Sequence, residues 1–166
     1  MEPLVKTLYL FRHAKSDWDA EFGTDFERPL SRRGRRAATA MGEFLASAGR
    51  IPDVALCSSA VRTTKTLDRA ARAGAWSTEI EHRDELYTGN PRHVLKALGE
   101  VSKKVGSLMV VGHETAMSET TSLLVGSAQV RFPTAAVACM ELDISRWRDI
   151  APGCGTLIFF LPPRLL

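Results

Sequence analysis

The stretch LVKTLYLFRH, residues 4–13, constrains the fold more than any other part of the sequence. Its first part, Leu4–Phe11, is rich in the leucine, valine, tyrosine and phenylalanine side chains that suit a buried β-strand. This segment runs directly into Arg12 and His13. We therefore predict a strand with an arginine–histidine pair at its carboxyl end.

Strands and helices are expected to alternate along most of the remaining chain. Ser31 can cap a helix that Gly49 is suited to end. Asn90 followed by Pro91 is a favourable start for another helix, whose apolar stripe extends to Val105. The other predicted elements are strands at Val54–Cys57, Thr78–His82, Leu108–Val111, Ala136–Leu142 and Thr156–Leu161, and helices at Ala60–Ala73 and Ala116–Val125.

This order of elements indicates an α/β fold. Strand–helix alternation through residue 125 predicts a mostly parallel central sheet with helices on both faces, in three α/β/α layers. The last two predicted strands follow each other without a helix between them, so we expect an antiparallel edge. The length of 166 residues predicts a single domain over 1–166.

The composition excludes several classes of protein. With 45% hydrophobic and 25% charged residues, the chain is not expected to be disordered. A net charge of +3 does not indicate a nucleic-acid partner, and no segment approaches the ~20 apolar residues of a membrane span. Three cysteines without a CxxC pair imply neither a disulfide framework nor a zinc site. The N-terminus lacks the features of a secretion signal, so we expect a cytoplasmic protein.

Chemically active side chains follow three of the predicted strands. One strand leads into Arg12 and His13, a second is followed by Arg62, and a third by His113. Ligands of open α/β sheets bind beyond the carboxyl ends of the strands. If these strands are neighbours, two histidines and two arginines meet in one pocket, and the helices that follow direct their N-termini at it, which suits an anion.

These residue types fit phosphoryl transfer. A neutral imidazole can attack phosphorus and hold the phosphoryl group covalently. Guanidinium groups bind phosphate oxygens bidentately and stay charged. A second histidine can stabilise the charge that develops in the transition state. Without a metal ion, Arg12, Arg62 and His113 would supply nearly all of that stabilisation.

Four segments occur in an order and with a spacing that resemble a known family. They are FRHAK at 11–15, DFERPLS at 25–31 followed by Gly34, SSAVRTTKT at 58–66, and VGHE at 111–114. They resemble the RHG/RHA, D-x-x-RPL-x-x-x-G, SSPxxRxxQT and GH segments of the histidine phosphatase superfamily. The RPL segment and the short chain are similar to the small SixA-type phosphohistidine phosphatases.

The resemblance implies roles for individual residues. His13 matches the nucleophile that becomes phosphorylated, and Arg12, Arg62 and His113 match the phosphate pocket. It implies no metal ion and no cofactor.

Residues around the predicted pocket allow further assignments. Arg28 matches an arginine near the pocket mouth, and we assign it to substrate binding together with Ser59, which is also a candidate cap for the following helix. The sequence is equally consistent with Lys15 in the pocket and on a solvated loop. Trp18 is either an anchor of its loop or a lid that faces the substrate. The four arginines within residues 32–36 form a solvated helix face that could attract an acidic partner.

The expected general acid is missing from its usual place. Larger members of the family carry a glutamate just after a leucine, whereas here Glu85 precedes Leu86 and Thr88 stands near the position of the acid. A general acid typically contributes ~10²–10⁴ in rate. Its loss is most severe for alkoxide leaving groups and least severe for a phosphorylated imidazole. Glu85 or Asp17 could still serve as an acid.

The sequence therefore predicts a metal-independent phosphohydrolase that acts on phosphohistidine of a protein, with neither nucleic acid nor membrane as partner. One alternative is a phosphatase of small phosphomonoesters with the same chemistry. Another is a module with low activity that binds phosphate or phosphohistidine. A metallophosphatase is disfavoured because the several Asp and His motifs of a two-metal site are absent from the sequence.

Overall fold

The computed structural model describes residues 5–166, so the predicted strand start at Leu4 lies outside the described residues. The strands are β1 (Lys6–Arg12), β2 (Val54–Cys57), β3 (Glu79–His82), β4 (Ser107–Gly112), β5 (Val137–Leu142) and β6 (Gly155–Leu161). The helices are α1 (Arg32–Ser47), α2 (Val61–Ala73), α3 (Pro91–Gly99) and α4 (Ala116–Val125). Short 3-10 helices cover Asp25–Glu27, Asp84–Thr88, Trp147–Asp149 and Pro163–Leu165.

The strands form one six-stranded sheet in the order β3-β2-β4-β1-β5-β6. Strands β1 to β4 are parallel to one another, whereas β5 pairs antiparallel with both β1 and β6. The predicted α/β fold with a mostly parallel sheet and an antiparallel edge is therefore confirmed. No helix in residues 5–166 is both long enough and apolar enough to cross a bilayer.

Helices cover both faces of the sheet because the side chains of β1 alternate between two cores. Leu8 and Leu10 pack into one apolar cluster with residues of α3 and α4. Tyr9 and Phe11 pack into the other cluster with residues of α1 and α2. Each helix pair thus shields one face of the central strand, which gives the three predicted layers.

Two helix boundaries differ from the predictions. Helix α3 ends at Gly99 and does not extend to Val105. Glycine weakens a helix by about 1 kcal/mol relative to alanine, and the Ser102 hydroxyl accepts from the Lys104 N–H, which favours a turn. Helix α2 begins after Ala60, one residue beyond the predicted cap Ser59.

The strand register brings the carboxyl ends of β1, β2 and β4 to one edge of the sheet. Arg12 at the end of β1 is paired with Gly112 at the end of β4. Cys57, the last residue of β2, is paired with Val111. The residues that follow β1, β2 and β4 therefore emerge side by side, as the strand-end pattern predicts.

A glycine lets the start of α1 approach the loop that follows β1. A Cβ atom at Gly34 would lie 2.0 Å from the backbone oxygen of Lys15. The Ser31 hydroxyl donates to the same oxygen at 3.0 Å and accepts from the Gly34 N–H at 3.0 Å, as predicted for a helix cap. This contact holds the RPL segment against the residues that follow His13.

Candidate active site

Two histidines lie together where β1 and β4 end. The backbone N–H of His13 donates to the Gly112 carbonyl at 3.0 Å, which continues the strand pairing by one residue. The ring centroids of His13 and His113 are 5.2 Å apart. Both side chains are buried, with relative exposures of 8% and 5%. The fold therefore brings together two imidazoles that are 100 residues apart in the sequence.

The surroundings of His13 fix which ring nitrogen is free. Its Nδ1 lies 2.8 Å from the Ala14 carbonyl oxygen, which can only accept, so Nδ1 carries the proton and the lone pair remains on Nε2. The Ala14 N–H in turn donates to the Thr66 hydroxyl at 2.9 Å, which ties this backbone to helix α2. Burial lowers the pKa of His13 to about 3, so the ring is neutral near pH 7. A neutral imidazole with a free lone pair is a nucleophile.

His113 is held by a serine that sequence analysis did not single out. The hydroxyl of Ser58, which is fully buried, shares a 2.8 Å hydrogen bond with His113 Nε2. Burial, followed by the charge of Arg62, lowers the pKa of His113 to about 4. The predicted binding residue Ser59 instead donates its hydroxyl to the carboxylate of Asp84.

One carboxylate organises two of the predicted arginines. Arg62 donates to the backbone oxygen of Asp25 at 2.7 Å and to its Oδ2 at 3.0 Å. Arg28 donates to Asp25 Oδ1 at 2.9 Å, and the Tyr87 hydroxyl donates to Oδ2 at 2.8 Å. Arg28, and after it Tyr87 and Arg62, hold the pKa of the Asp25 carboxyl well below its usual range. Asp25 therefore stays charged and fixes both guanidinium groups.

Arg28 is enclosed by the loop after β1. It donates to the Ser16 hydroxyl, and its guanidinium carbon lies 3.7 Å from the ring centroid of Trp18. Trp18 itself remains 64% exposed. Of the two roles considered for Trp18, the geometry shows loop packing, in which the indole covers Arg28 by a cation–π contact.

The guanidinium groups of Arg12, Arg28 and Arg62 are only partly hydrogen-bonded within residues 5–166. Arg12 donates to the Phe132 backbone oxygen at 2.7 Å. In residues 5–166, the Nε atoms of Arg12, Arg28 and Arg62 are buried without a hydrogen-bond partner. Leaving a buried donor unpaired costs about 1–3 kcal/mol or more when the group is charged. The positive charges of Arg62 and Arg12 both help to lower the pKa of His13, because they disfavour protonation of its ring.

The two candidate acids, Glu85 and Asp17, are hydrogen-bonded to groups other than the histidine pair. Glu85 Oε1 accepts from Arg83 at 3.3 Å, and Asp17 Oδ1 accepts from the Asp19 backbone N–H at 3.0 Å. In the described part of the chain, no carboxylate is hydrogen-bonded to either ring of the histidine pair. No group of three or more His, Cys, Asp or Glu side chains in residues 5–166 is arranged to hold a metal ion.

The buried histidines make stability depend on pH. His13 and His113, with pKa values of about 3 and about 4, stay neutral in the folded protein at mildly acidic pH. In the unfolded chain, histidine takes up a proton below about pH 6.5. The unfolded state then binds more protons than the folded one, so the free energy of unfolding falls as pH falls. We expect a slope approaching about 1.4 kcal/mol per pH unit for each histidine below about pH 6.

Urea unfolding between about pH 7 and about pH 4.5 measures this slope. The variant His113→Asn should lose about half of this slope, whereas His82→Gln, at an exposed position on β3, should keep all of it. Equal slopes in all three proteins would show that the two buried rings are not its source.

Comparison with known proteins shows the family to which this chain belongs. A model of the histidine phosphatase superfamily (branch 1) matches residues 8–88. An uncharacterized protein of Mycobacterium tuberculosis is 32% identical over 163 residues, covering 92% of this chain and 99% of its own length.

Comparison with solved structures indicates the same family. A protein of Nakamurella multipartitia assigned as the phosphohistidine phosphatase SixA is 30% identical, with a TM-score of 0.82 and 96% coverage of both chains. The protein histidine phosphatase SixA in complex with tungstate shares the fold at 24% identity, with a TM-score of 0.82 over 96% of this chain and 98% of its own. The chain thus belongs to the histidine phosphatase superfamily, among its SixA-like phosphatases.

Proposed function

We propose that this protein hydrolyses phosphohistidine on another protein and carries the phosphoryl group on Nε2 of His13. The hydrogen bond from His13 Nδ1 to the Ala14 carbonyl carries this proposal, because it leaves Nε2 unprotonated at neutral pH. Arg12, Arg62 and His113 act as the phosphate pocket, with Arg28 at its mouth.

The first step transfers the phosphoryl group to the enzyme. The lone pair of His13 Nε2 attacks phosphorus, and a new P–N bond forms as the substrate P–N bond breaks. The leaving imidazole takes the bonding electron pair and departs as a neutral molecule when its other nitrogen carries a proton. The guanidinium groups of Arg12 and Arg62 stabilise the charge on the phosphoryl oxygens.

The second step returns the enzyme to its starting state. A water molecule attacks phosphorus, the P–Nε2 bond breaks and its electron pair returns to His13. Inorganic phosphate keeps the oxygen and protons of the water. His113, hydrogen-bonded to Ser58, is the side chain placed beside His13 to stabilise charge in both steps.

Within residues 5–166 no carboxyl group is hydrogen-bonded to the histidine pair, which supports a P–N substrate. Asp25 is kept charged by Arg28 and Tyr87, and Glu85 is paired with Arg83. Neither carboxyl group is set to protonate a leaving alkoxide. Transfer from one imidazole to another needs no enzyme acid at the breaking bond, because the proton on the other nitrogen of the leaving ring already makes that ring a neutral leaving group.

A substrate comparison in excess EDTA tests this function. We expect kcat/KM for a phosphohistidine peptide to exceed that for an alkyl phosphate such as glycerol phosphate by at least about 10²-fold, the typical contribution of a general acid. Para-nitrophenyl phosphate, whose leaving group is already acidic, should be hydrolysed at an intermediate rate. Preference for a sugar or nucleotide phosphate would contradict the proposal in favour of a small-molecule phosphatase. Binding of vanadate without turnover of any substrate would favour a binding module, and loss of activity in EDTA would favour a metalloenzyme.

Asp25 gives a second prediction, which separates kcat from phosphate affinity. In Asp25→Asn, the arginines lose a charge-assisted anchor worth about 1–2 kcal/mol, so we expect kcat to fall about tenfold. The substitution also removes the electrostatic repulsion between the Asp25 carboxylate and phosphate, so Ki for inorganic phosphate should decrease about threefold. Asp68→Asn, which removes the acid of an exposed ion pair with Arg72, is the matched control and should change neither value. An unchanged kcat in Asp25→Asn would show that this carboxylate does not position the arginines.

A further inference from the structure

A basic groove lies beside the histidine pair. Its volume is about 420 Å³, and its charged lining consists of Lys15, Arg33, Arg36 and Arg164. No carboxylate lines it, and apolar atoms of alanine and proline residues complete its wall. We call these four cations and their apolar wall the basic groove.

The basic groove opens at the same sheet edge as the candidate active site. Lys15 follows His13 by two residues, which limits the separation of their Cα atoms to about 7 Å. Pro133, which also lines the groove, is adjacent to Phe132, whose carbonyl binds Arg12. A chain lying in the groove therefore reaches the histidine pair within a few residues.

The charges of the basic groove are unneutralised. Within residues 5–166, its four cations make no ion pair with a carboxylate. Lys15, Arg33, Arg36 and Arg164 are all exposed.

The placement of Arg33 is unfavourable with respect to the helix dipole. Arg33 and Arg36 lie in the first two turns of α1, where the helix dipole is positive, and no acidic residue occupies the first turn. A cation in the first turn, such as Arg33, costs about 0.3–1 kcal/mol instead of contributing it, and the effect fades beyond that turn. The helix dipole therefore does not favour Arg33, whereas a negative partner bound at this end of α1 would gain from the dipole.

We propose that the basic groove docks an acidic segment of the phosphoprotein whose phosphohistidine enters the site, an inference that rests on the proposed function. Charge complementarity requires a negative partner. The apolar wall, to which Ala37, Ala40 and Pro162 contribute, fits amino-acid side chains between the acidic ones. A nucleic acid would present a regular run of phosphates and bases that stack on aromatic rings, whereas no aromatic side chain among residues 5–166 lines this groove.

Two synthetic peptides test the docking. Each carries one phosphohistidine, flanked by Asp and Glu in the first peptide and by Asn and Gln in the second. We expect wild-type kcat/KM to be about tenfold higher for the acidic peptide at about 50 mM salt and nearly equal for both at about 0.5 M, because exposed charges are screened there. In the triple variant Arg33→Ala, Arg36→Ala and Arg164→Ala, the preference should shrink to less than about twofold.

Two controls isolate the groove. Turnover of para-nitrophenyl phosphate should be unchanged in the triple variant, because this substrate does not reach the groove. The double variant Lys103→Ala and Lys104→Ala removes exposed cations before β4, at the opposite edge of the sheet, and should keep the full peptide preference.

The outcomes separate docking from catalysis. Fluorescence anisotropy measures binding of the unphosphorylated acidic peptide, which should be weaker for the triple variant than for the wild type. If this difference is found but neither phosphopeptide is turned over, the docking proposal is supported and the proposed function is contradicted. Equal kcat/KM for both peptides in the wild type, or the same preference in the triple variant, would overturn the docking proposal. A triple variant that loses affinity only for a single-stranded oligonucleotide would also overturn it and would assign the groove to nucleic acid.

Discussion

Replacing His13 by alanine is expected to lower kcat/KM for every phosphorylated substrate by about 10⁴-fold or more, because no other described side chain offers a free imidazole lone pair at this position. His113 cannot substitute, since its Nε2 is already engaged with Ser58. The ring centroids of His13 and His113 are also 5.2 Å apart, so His113 does not occupy the position from which His13 attacks phosphorus.

Trapping the intermediate gives a direct readout for His13. Acid-sensitive, alkali-stable label should appear on the wild-type protein after a rapid quench of the reaction with a phosphohistidine substrate, and it should map to residue 13. His82→Ala, at an exposed site on β3, is the matched control and should be labelled normally. Label on His13→Ala, or retained turnover in that variant, would remove His13 from the mechanism.

Arg62 carries the second large prediction. Arg62 is buried, with 6% exposure, and two nitrogens of its guanidinium group donate to Asp25, so its position is fixed before substrate arrives. Pre-positioned arginines are worth about 10³-fold or more in phosphoryl transfer, and we expect a loss of about 10³-fold in kcat/KM for Arg62→Ala. Arg62→Lys retains the charge but not the two-pronged geometry, so it should recover only part of this loss.

The control for Arg62 lies on the same helix. Arg69 is exposed on α2, and Arg69→Ala should leave kcat/KM unchanged. Urea unfolding of each variant separates loss of activity from loss of fold. A decrease of less than about tenfold in a folded Arg62→Ala protein would assign the transition-state charge to other donors.

The strand ends show why much of the fold could be predicted. Val54–Cys57 and Ala116–Val125 have the boundaries that the sequence predicts, because apolar runs and periodicity reflect burial directly. The edge at which Arg12, Arg62 and His113 meet follows from the rule that parallel strands share their carboxyl edge. Periodicity failed for α3, where Val101 and Val105 pack against the core from a turn.

The partners of the site could not be predicted in the same way. Asp25 was visible as the first residue of the RPL segment, and its three-residue spacing from Arg28 was a local signal for their ion pair. Its contacts with Arg62 and Tyr87 span 37 and 62 residues of sequence, for which no local pattern exists. Ser58 binds His113 and Ser59 binds Asp84. Because the two serines are adjacent in the same motif, the sequence does not show which of their side chains faces His113.

The sequence by itself determined the alternation of strands and helices, the family, and the residue types available for phosphoryl transfer, because these depend on local pattern and side-chain chemistry. Only the tertiary structure decided which nitrogen of His13 is free, which carboxylate holds the arginines and where the unneutralised cations collect. Those features depend on burial and on hydrogen bonds between residues far apart in the chain, and both exist only once the layers have packed.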